Sequence, residues 1–407
     1  NTNATFTDVR LNDLKSTPTQ PYWLQKPMNK GSFEISDQQL IGKPENNPVT
    51  AEFGVYIDSV YFTFNKPVRY KFTDPVKGEI YQPVTAVPPV TMNISPQLNV
   101  LYPDNLSGHQ FNRELRFLSN NKSAPGICGT CEKQTTVPVE YDPKNWVTLL
   151  NAKPVEHAVK DAAGNNFLHF NEINYDHIPA IRYFTEAKER VLFTDVKTAG
   201  KLAGYISGAG DKVPQAMEQM GYKVVMLKET DLTHDNLKQF DVIVTGVRAY
   251  NINEWLSNGY DALMQYVKEG GVLLVQYNTN NSIGPVKAKM SPYPFTISRN
   301  RVTDENAAVK FLVPLHPALN YPNKITQKDF EGWIQERSTY HAEQPDSAYQ
   351  RIISMKDPGE TDQDGSLIIA DYGKGRFVYT GLVFFRELPA GVAGAYRLFA
   401  NLIANKR

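Results

Sequence analysis

Cysteine is nearly absent. The 407 residues contain two, Cys128 and Cys131, too few for a disulfide framework. Both lie in the first half, so no cysteine nucleophile is available to the second. Long hydrophobic runs are missing too: none approaches the ~18 residues that cross a bilayer. Neither sign of charge dominates, with 43 basic against 43 acidic residues. Such a balance steers neither nucleic acid nor anionic membranes toward the chain. No His-Glu-x-x-His or His-x-Asp-Asp segment occurs, which argues against zinc hydrolysis, and no metal or cofactor site is expected. No signal peptide is recognised at its start: the chain opens on polar Asn1-Thr2-Asn3 and reads as a mature or excised piece, which says nothing about export.

What is abundant is aromatic residues and proline, a composition that fits β-rich exported modules. Residues 50–56, 60–64 and 68–72 alternate apolar and polar side chains with β-branched and aromatic enrichment, and so predict strands. Asp58-Ser59 and Asn65-Lys66-Pro67 supply the turns. Val87-Pro88-Pro89-Val90 marks a boundary, since consecutive prolines cannot join a ladder and stiffen a linker. Further short strands are expected at 92–94, 114–118, 137–141 and 168–173. The first half therefore reads as two small antiparallel β-sandwich modules in series, 1–88 and 89–180.

From 181 to 407 the pattern becomes α/β. Residues 202–206, 224–227, 242–245 and 272–277 are short apolar runs of strand length. Between the first two, Pro214 suits a first helical turn, and Val213, Met217 and Met220 recur at helical spacing up to Gly221. A second helix, 261–268, closes on Gly270-Gly271. Strand and helix alternating with short connections means parallel strands joined by right-handed crossovers. Ligands bind such sheets beyond the carboxyl ends of the strands. Gly208, Asp211, Arg248, Tyr250, Asn251, Gln276 and Asn278 fall around that mouth. Residues 278–294, rich in Asn, Pro and Gly, predict a long loop over it. Residues 366–371 and 376–381 predict a hairpin. Residues 392–404 predict a final helix with Ala395, Leu398, Phe399 and Leu402 on one face.

Each chemically interesting motif carries a plainer alternative. Cys128-Gly129-Thr130-Cys131 lacks a second metal-binding pair and a strand-to-helix redox context, so a turn disulfide or two free thiols is the plainer reading. Gly208-Ala209-Gly210-Asp211 lacks both the third glycine of a dinucleotide loop and the Lys-Ser/Thr of a triphosphate loop. It reads as a tight turn with Asp211 capping the helix, or as a polyol contact through Asp211. Arg248, Tyr250 and Asn251 either grip a hydroxylated or carboxylated ligand, or Arg248 ties loops together through carboxylates. Residues 329–337 hold Glu331, Trp333, Glu336 and Arg337. Trp333 is a candidate sugar platform or packing residue, and alternation would place Glu331 and Glu336 on opposite sides, against an acid/base pair. His316 and His341 read as structural, with no matching nucleophile in view. The elbow position after the 272–275 run is Gln276-Tyr277-Asn278-Thr279, without Ser, Cys or Gly.

Several runs resemble the C-terminal, non-zinc region of PIG-L/LmbE-type deacetylase proteins of Bacteroidetes. In the second half they are 205–248, 276–278, 292–295, 301–305, 329–337, 355–359 and 379–399. In the first half they are 20–24, 40–46 and 70–90. The second half is also similar to class I glutamine amidotransferases. The resemblance implies a multidomain β plus α/β chain ending in a flavodoxin/amidotransferase-like parallel α/β domain. It further implies a zinc deacetylase domain N-terminal to this chain and a periplasmic or extracellular location. The amidotransferase nucleophile is missing near Gln276–Asn278, and Gly246-Val247-Arg248 replaces the glycine-rich oxyanion strand end. The expectation is an accessory, non-catalytic region that binds or positions a glycan through Asp211, Arg248, Tyr250, Asn251, Gln276, Asn278, Trp333, Glu336 and Arg337. The alternatives are a carboxylate-dependent glycan hydrolase and a structural or dimerisation brace.

Overall fold

Strands form where β-branched and aromatic residues run between turn residues, and the structure, a computed structural model, follows that rule in both halves. It describes residues 18–26, 28–29, 32–43, 49–88, 90–103, 150–161, 163–178, 180–280 and 285–404, with the backbone alone for 114–119. Cys128 and Cys131 lie outside the described residues. The chain divides into two compact units. One comprises 1–97, 110–139 and 156–189; the other comprises 98–109, 140–155 and 190–407. The units are therefore interleaved in sequence rather than cut at single boundaries.

In the first unit the described strands form two-stranded antiparallel ladders. Thr50–Ile57 pairs with Val60–Pro67, Arg69–Asp74 with Gly78–Pro83, and Leu168–Ile173 with Ile181–Glu186. Val90–Ser95 pairs with Glu114–Ser119. In the first ladder Phe53 faces Phe64, Val55 faces Phe62 and Ile57 faces Val60. The period of two puts all six on one face, and all six are exposed.

The second unit is built on a seven-stranded sheet. We number its strands β1 (Leu202–Ile206), β2 (Lys223–Met226), β3 (Val242–Thr245), β4 (Val272–Gln276), β5 (Gln350–Arg351), β6 (Leu367–Tyr372) and β7 (Gly375–Thr380). Their order across the sheet is β2-β1-β3-β4-β7-β6-β5. The first five run parallel; β6 and β5 are antiparallel additions. The helices are α1 (Val213–Gln219), α2 (His234–Leu237), α3 (Ala249–Ile252), α4 (Tyr260–Lys268), α5 (Pro317–Asn320), α6 (Phe384–Ala390) and α7 (Ala393–Ile403).

Alternation along each central strand feeds two cores. Val242, Val244, Val272 and Leu274 pack on one face with side chains of α1, α6 and α7. Ile243, Leu273 and Val275 pack on the other with Leu237 of α2 and Leu263, Met264 and Val267 of α4. Strands covered on both faces have no polar side to show, hence the unbroken apolar runs. α7 carries one polar exception. Asn401 is fully buried and its side chain exchanges hydrogen bonds with Asn323 and Ala318, so every polar atom it brings inside finds a partner.

Candidate functional site

The strand order reverses between β1 and β3, the position at which open parallel sheets leave a crevice. Here the crevice is closed by its own loops. Asp211 Oδ1 accepts from the Tyr205 hydroxyl at 2.6 Å and from Val213 N–H at 3.0 Å; Oδ2 accepts from Val247 N–H at 3.2 Å. Ala209 N–H donates to Val247 O at 2.8 Å. A Cβ on Gly208 would lie 2.0 Å from that same oxygen, so glycine is required for the two strand ends to approach. Asp211 thus serves the start of α1, with both carboxylate oxygens engaged by the chain itself.

Most of the other expected mouth residues are interior braces. Tyr250, Asn251, Gln276 and Asn278 are all buried. Asn278 Oδ1 accepts from Tyr250 N–H, and its Nδ2 donates to Gln276 O. Asn251 Nδ2 donates to Thr279 O and Pro285 O, and its Oδ1 accepts from Thr279 N–H. Gln276 Nε2 donates to the Tyr205 hydroxyl and to Thr245 O. These side chains satisfy the backbone of the chain leaving β3 and β4, a role that strand-end position alone does not distinguish from ligand binding.

The 329–337 run is not a strand. Gly332 and Gln335 take φ of 72° and 66°, which breaks any alternation. Trp333 is 3% exposed, stacks on Phe330 with ring centroids 5.6 Å apart, and donates Nε1–H to Asp329 O at 2.9 Å. It offers no free face to a sugar. Arg337 is equally enclosed: it donates to Ala307 O and Phe330 O and lies over the Trp333 ring. Burial pulls it down to about 10. Glu331 is exposed, whereas Glu336 is buried and held by Arg301 and Arg386, each at 3.2 Å. Glu331 and Glu336 therefore sit in unlike environments, one solvated and one neutralised, rather than forming a matched pair.

Arg248 is the exception among the expected residues. It takes the left-handed conformation, φ 60° and ψ 23°, at the turn into α3. For a side-chain-bearing residue this costs on the order of 1–3 kcal/mol and persists only where neighbours impose it. Here the imposition is the hydrogen bond from Arg248 N–H to Tyr277 O, 2.8 Å. The guanidinium has no ion pair among the described residues, and its Nε–H is sealed from solvent without an acceptor. Among the described residues, then, no carboxylate ties Arg248 to a neighbouring loop.

Around Arg248 the chain assembles a half-buried ledge that sequence reading missed. Tyr277, directly after β4, stacks on Tyr340 with centroids 5.4 Å apart and 11° between planes. Phe385 of α6 meets the same ring at 5.4 Å, and Arg386 lies over Phe385 at 5.2 Å. Burial raises the Tyr277 phenol, while the Arg248 and Arg386 charges pull it down and Glu336 pushes it up. The aromatic residue after β4 was the only local signal. Tyr340 and Phe385 join it from distant segments.

Two buried groups resemble catalytic parts. Ser338 Oγ lies 2.7 Å from His341 Nε2, a contact that supplies the hydroxyl partner His341 lacked on sequence grounds. Both residues are sealed, at 0% and 1% exposed. Burial pulls the imidazole down to about 4, although Gln363 lies near enough to oppose that shift, and Nδ1 has no hydrogen-bond partner. Asp364 acts on His341 through its charge, but no carboxylate among the described residues hydrogen-bonds the imidazole and both members are sealed, so the pair lacks the arrangement of a hydrolase dyad. His316 caps α5, its Nδ1 accepting from Ala318 N–H at 3.0 Å. Glu387 of α6 is fully buried, and burial pushes it up to about 8 although Ile334 N–H and Arg337 act in the opposite direction. Among the described residues, no group of three or more His, Cys, Asp or Glu side chains could hold a metal ion. Among them, too, no helix is long and apolar enough to cross a membrane. Residues 277–280, after β4, are not helical, so no strand–elbow–helix unit forms there.

No family model matches the chain, and no curated protein matches it. Solved structures do. The cytoplasmic protein STM1381 of Salmonella typhimurium LT2 is 12% identical, with a TM-score of 0.36 over 50% of this chain and 98% of its own. A GMP synthase-type protein of Thermoplasma acidophilum is 10% identical, with a TM-score of 0.34 over 51% of this chain and 94% of its own. The cold-adapted β-galactosidase of Rahnella sp. R3 is 14% identical, with a TM-score of 0.30 over 50% of this chain and 31% of its own. An amidotransferase-type protein and glycosidases are thus among the structures this chain is similar to.

Proposed function

We propose that the second unit binds and positions a glycan without acting on it chemically. In this reading it is the accessory region of an exported N-acetylglucosaminyl deacetylase-like protein, working in the periplasm or outside the cell. The zinc chemistry would belong to a separate N-terminal domain. The attachment and the location rest on the sequence resemblance. The binding role rests on one observation: a half-buried Arg248, without an ion pair among the described residues, beside the stacked Tyr277 and Tyr340 rings at the carboxyl edge of the sheet. Aromatic faces suit the apolar face of a sugar ring, and guanidinium donors suit its oxygens.

The test is glycan-array screening and calorimetry on the purified chain. Arg248→Ala is expected to abolish binding while the thermal midpoint stays close to that of the unmodified protein; Tyr277→Ala is expected to abolish binding too, with a lower midpoint because the ring's packing against Tyr340 and Phe385 is lost. Trp333→Phe, a change inside the core, is the control and is expected to bind normally. Unchanged binding in both ledge variants overturns the assignment.

A further inference from the structure

The ledge carries a charge that neutral-sugar binding leaves unexplained. We infer that it selects ligands bearing an oxyanion, the carboxylate of an acidic sugar, over their neutral counterparts. This inference rests on the reading of the ledge as a glycan site. Two guanidinium groups flank Tyr277, those of Arg248 and Arg386, and both act on its phenol. In both, the Nε–H is sealed from solvent and has no acceptor. Buried donors nearly always have partners, and a guanidinium donor left without one is costly. The sealed Nε positions lie out of a ligand's reach, but the two Nη groups of Arg248 are not sealed and have no partner among the described residues, so they are the donors an outside acceptor would meet.

The acceptor is not supplied by the described part of this chain. Glu336 is the nearby carboxylate, and its oxygens are already taken: Oε1 by Arg386 Nη2 and Oε2 by Arg301 Nη2, both at 3.2 Å. Arg301 is itself 54% exposed along its side chain. One carboxylate thus serves two guanidinium groups, and Arg248 is a third with none among the described residues. A sugar hydroxyl satisfies a donor but leaves the positive charge uncompensated. A carboxylate does both, and the planar fork of arginine matches its two oxygens.

The experiment is calorimetry on the whole chain with four probes: a galacturonate oligomer, the corresponding neutral galactose oligomer, inorganic phosphate and inorganic sulfate. The acidic oligomer is expected to bind at least about tenfold more tightly than the neutral one, equivalent to one charge-assisted hydrogen bond. Added salt is expected to shrink that ratio. In Arg248→Gln the ratio is expected to fall to near one, and in Arg248→Lys, which keeps the charge but not the fork, to an intermediate value. Equal affinity for the two oligomers overturns the selectivity and leaves the glycan ledge standing. Binding of phosphate or sulfate that depends on Arg248, with no binding of either oligomer, keeps the oxyanion site and overturns the glycan reading. Absence of binding by all four probes overturns both.

Discussion

The Tyr205 hydroxyl donates to Asp211 Oδ1 at 2.6 Å, and this contact holds the end of β1 against the loop that leads into α1. The same hydroxyl accepts from Gln276 Nε2 at 3.1 Å, so one phenol links β1, β4 and the Asp211 turn. Burial, followed by the Asp211 charge, pushes this phenol well above its usual range, so it stays a donor at any physiological pH.

Tyr205→Phe is therefore a stability variant. It leaves Asp211 Oδ1 and Gln276 Nε2 each short of a partner, at an expected cost of ~1–3 kcal/mol. Urea denaturation of the two proteins measures it. A variant that loses ligand binding while keeping full stability would contradict the bracing role of Asp211.

Trp333 supports the core under α6 rather than a ligand. Trp333→Ala removes a ring packed against Phe330 and Phe384, and a loss of about 3–5 kcal/mol is expected. Trp333→Phe retains most of the packing and forfeits the hydrogen bond to Asp329 O, so its loss should be smaller. The check is the denaturation midpoint of each, read beside ligand affinity. A platform role would show as lost affinity in Trp333→Phe with the midpoint unmoved.

Two buried groups give the stability a pH dependence of opposite signs. Glu387 is pushed up to about 8. Between its ordinary value near 4.5 and that figure, the unfolded chain gives up this proton and the folded chain keeps it, so stability falls as pH rises. His341 is pulled down to about 4. Below its ordinary 6.5 the unfolded chain takes up a proton that the folded chain refuses, so stability falls as pH drops from 6.5 toward 4. From about 6.5 to about 8 only the Glu387 slope remains. Glu387→Gln should flatten it, gaining on the unmodified protein as pH rises through that window. Urea midpoints at the two ends of the window decide the matter, and parallel curves would exclude the Glu387 contribution.

Much of the α/β unit was legible from residues close together in the chain. Val213, Met217 and Met220 with Gly221 gave α1, and the run 242–245 gave β3, because helix and strand periods are imprinted by burial on one or two faces. The turn Tyr372-Gly373-Lys374-Gly375 gave the β6–β7 hairpin, since glycine tolerates the tight reversal. The 329–337 run misled, because alternation presumes an extended backbone and positive φ at Gly332 and Gln335 removes it.

The candidate site divides differently. Sequence alone determined that a parallel sheet would present polar residues beyond β3 and β4, because the strand–loop order fixes which end each loop leaves from. Only the tertiary structure decided which of those residues remain available. Asn251, Asn278 and the Gln276 side-chain nitrogen are taken up by backbone groups that would otherwise be buried unsatisfied. Arg248 is not consumed, because the segments bearing Tyr340 and Phe385 converge on its neighbour Tyr277 and, among the described residues, bring no carboxylate to pair it. Hydrogen-bond demand is a property of the assembled interior. No local pattern records which polar side chains that demand will use and which it will leave facing outward.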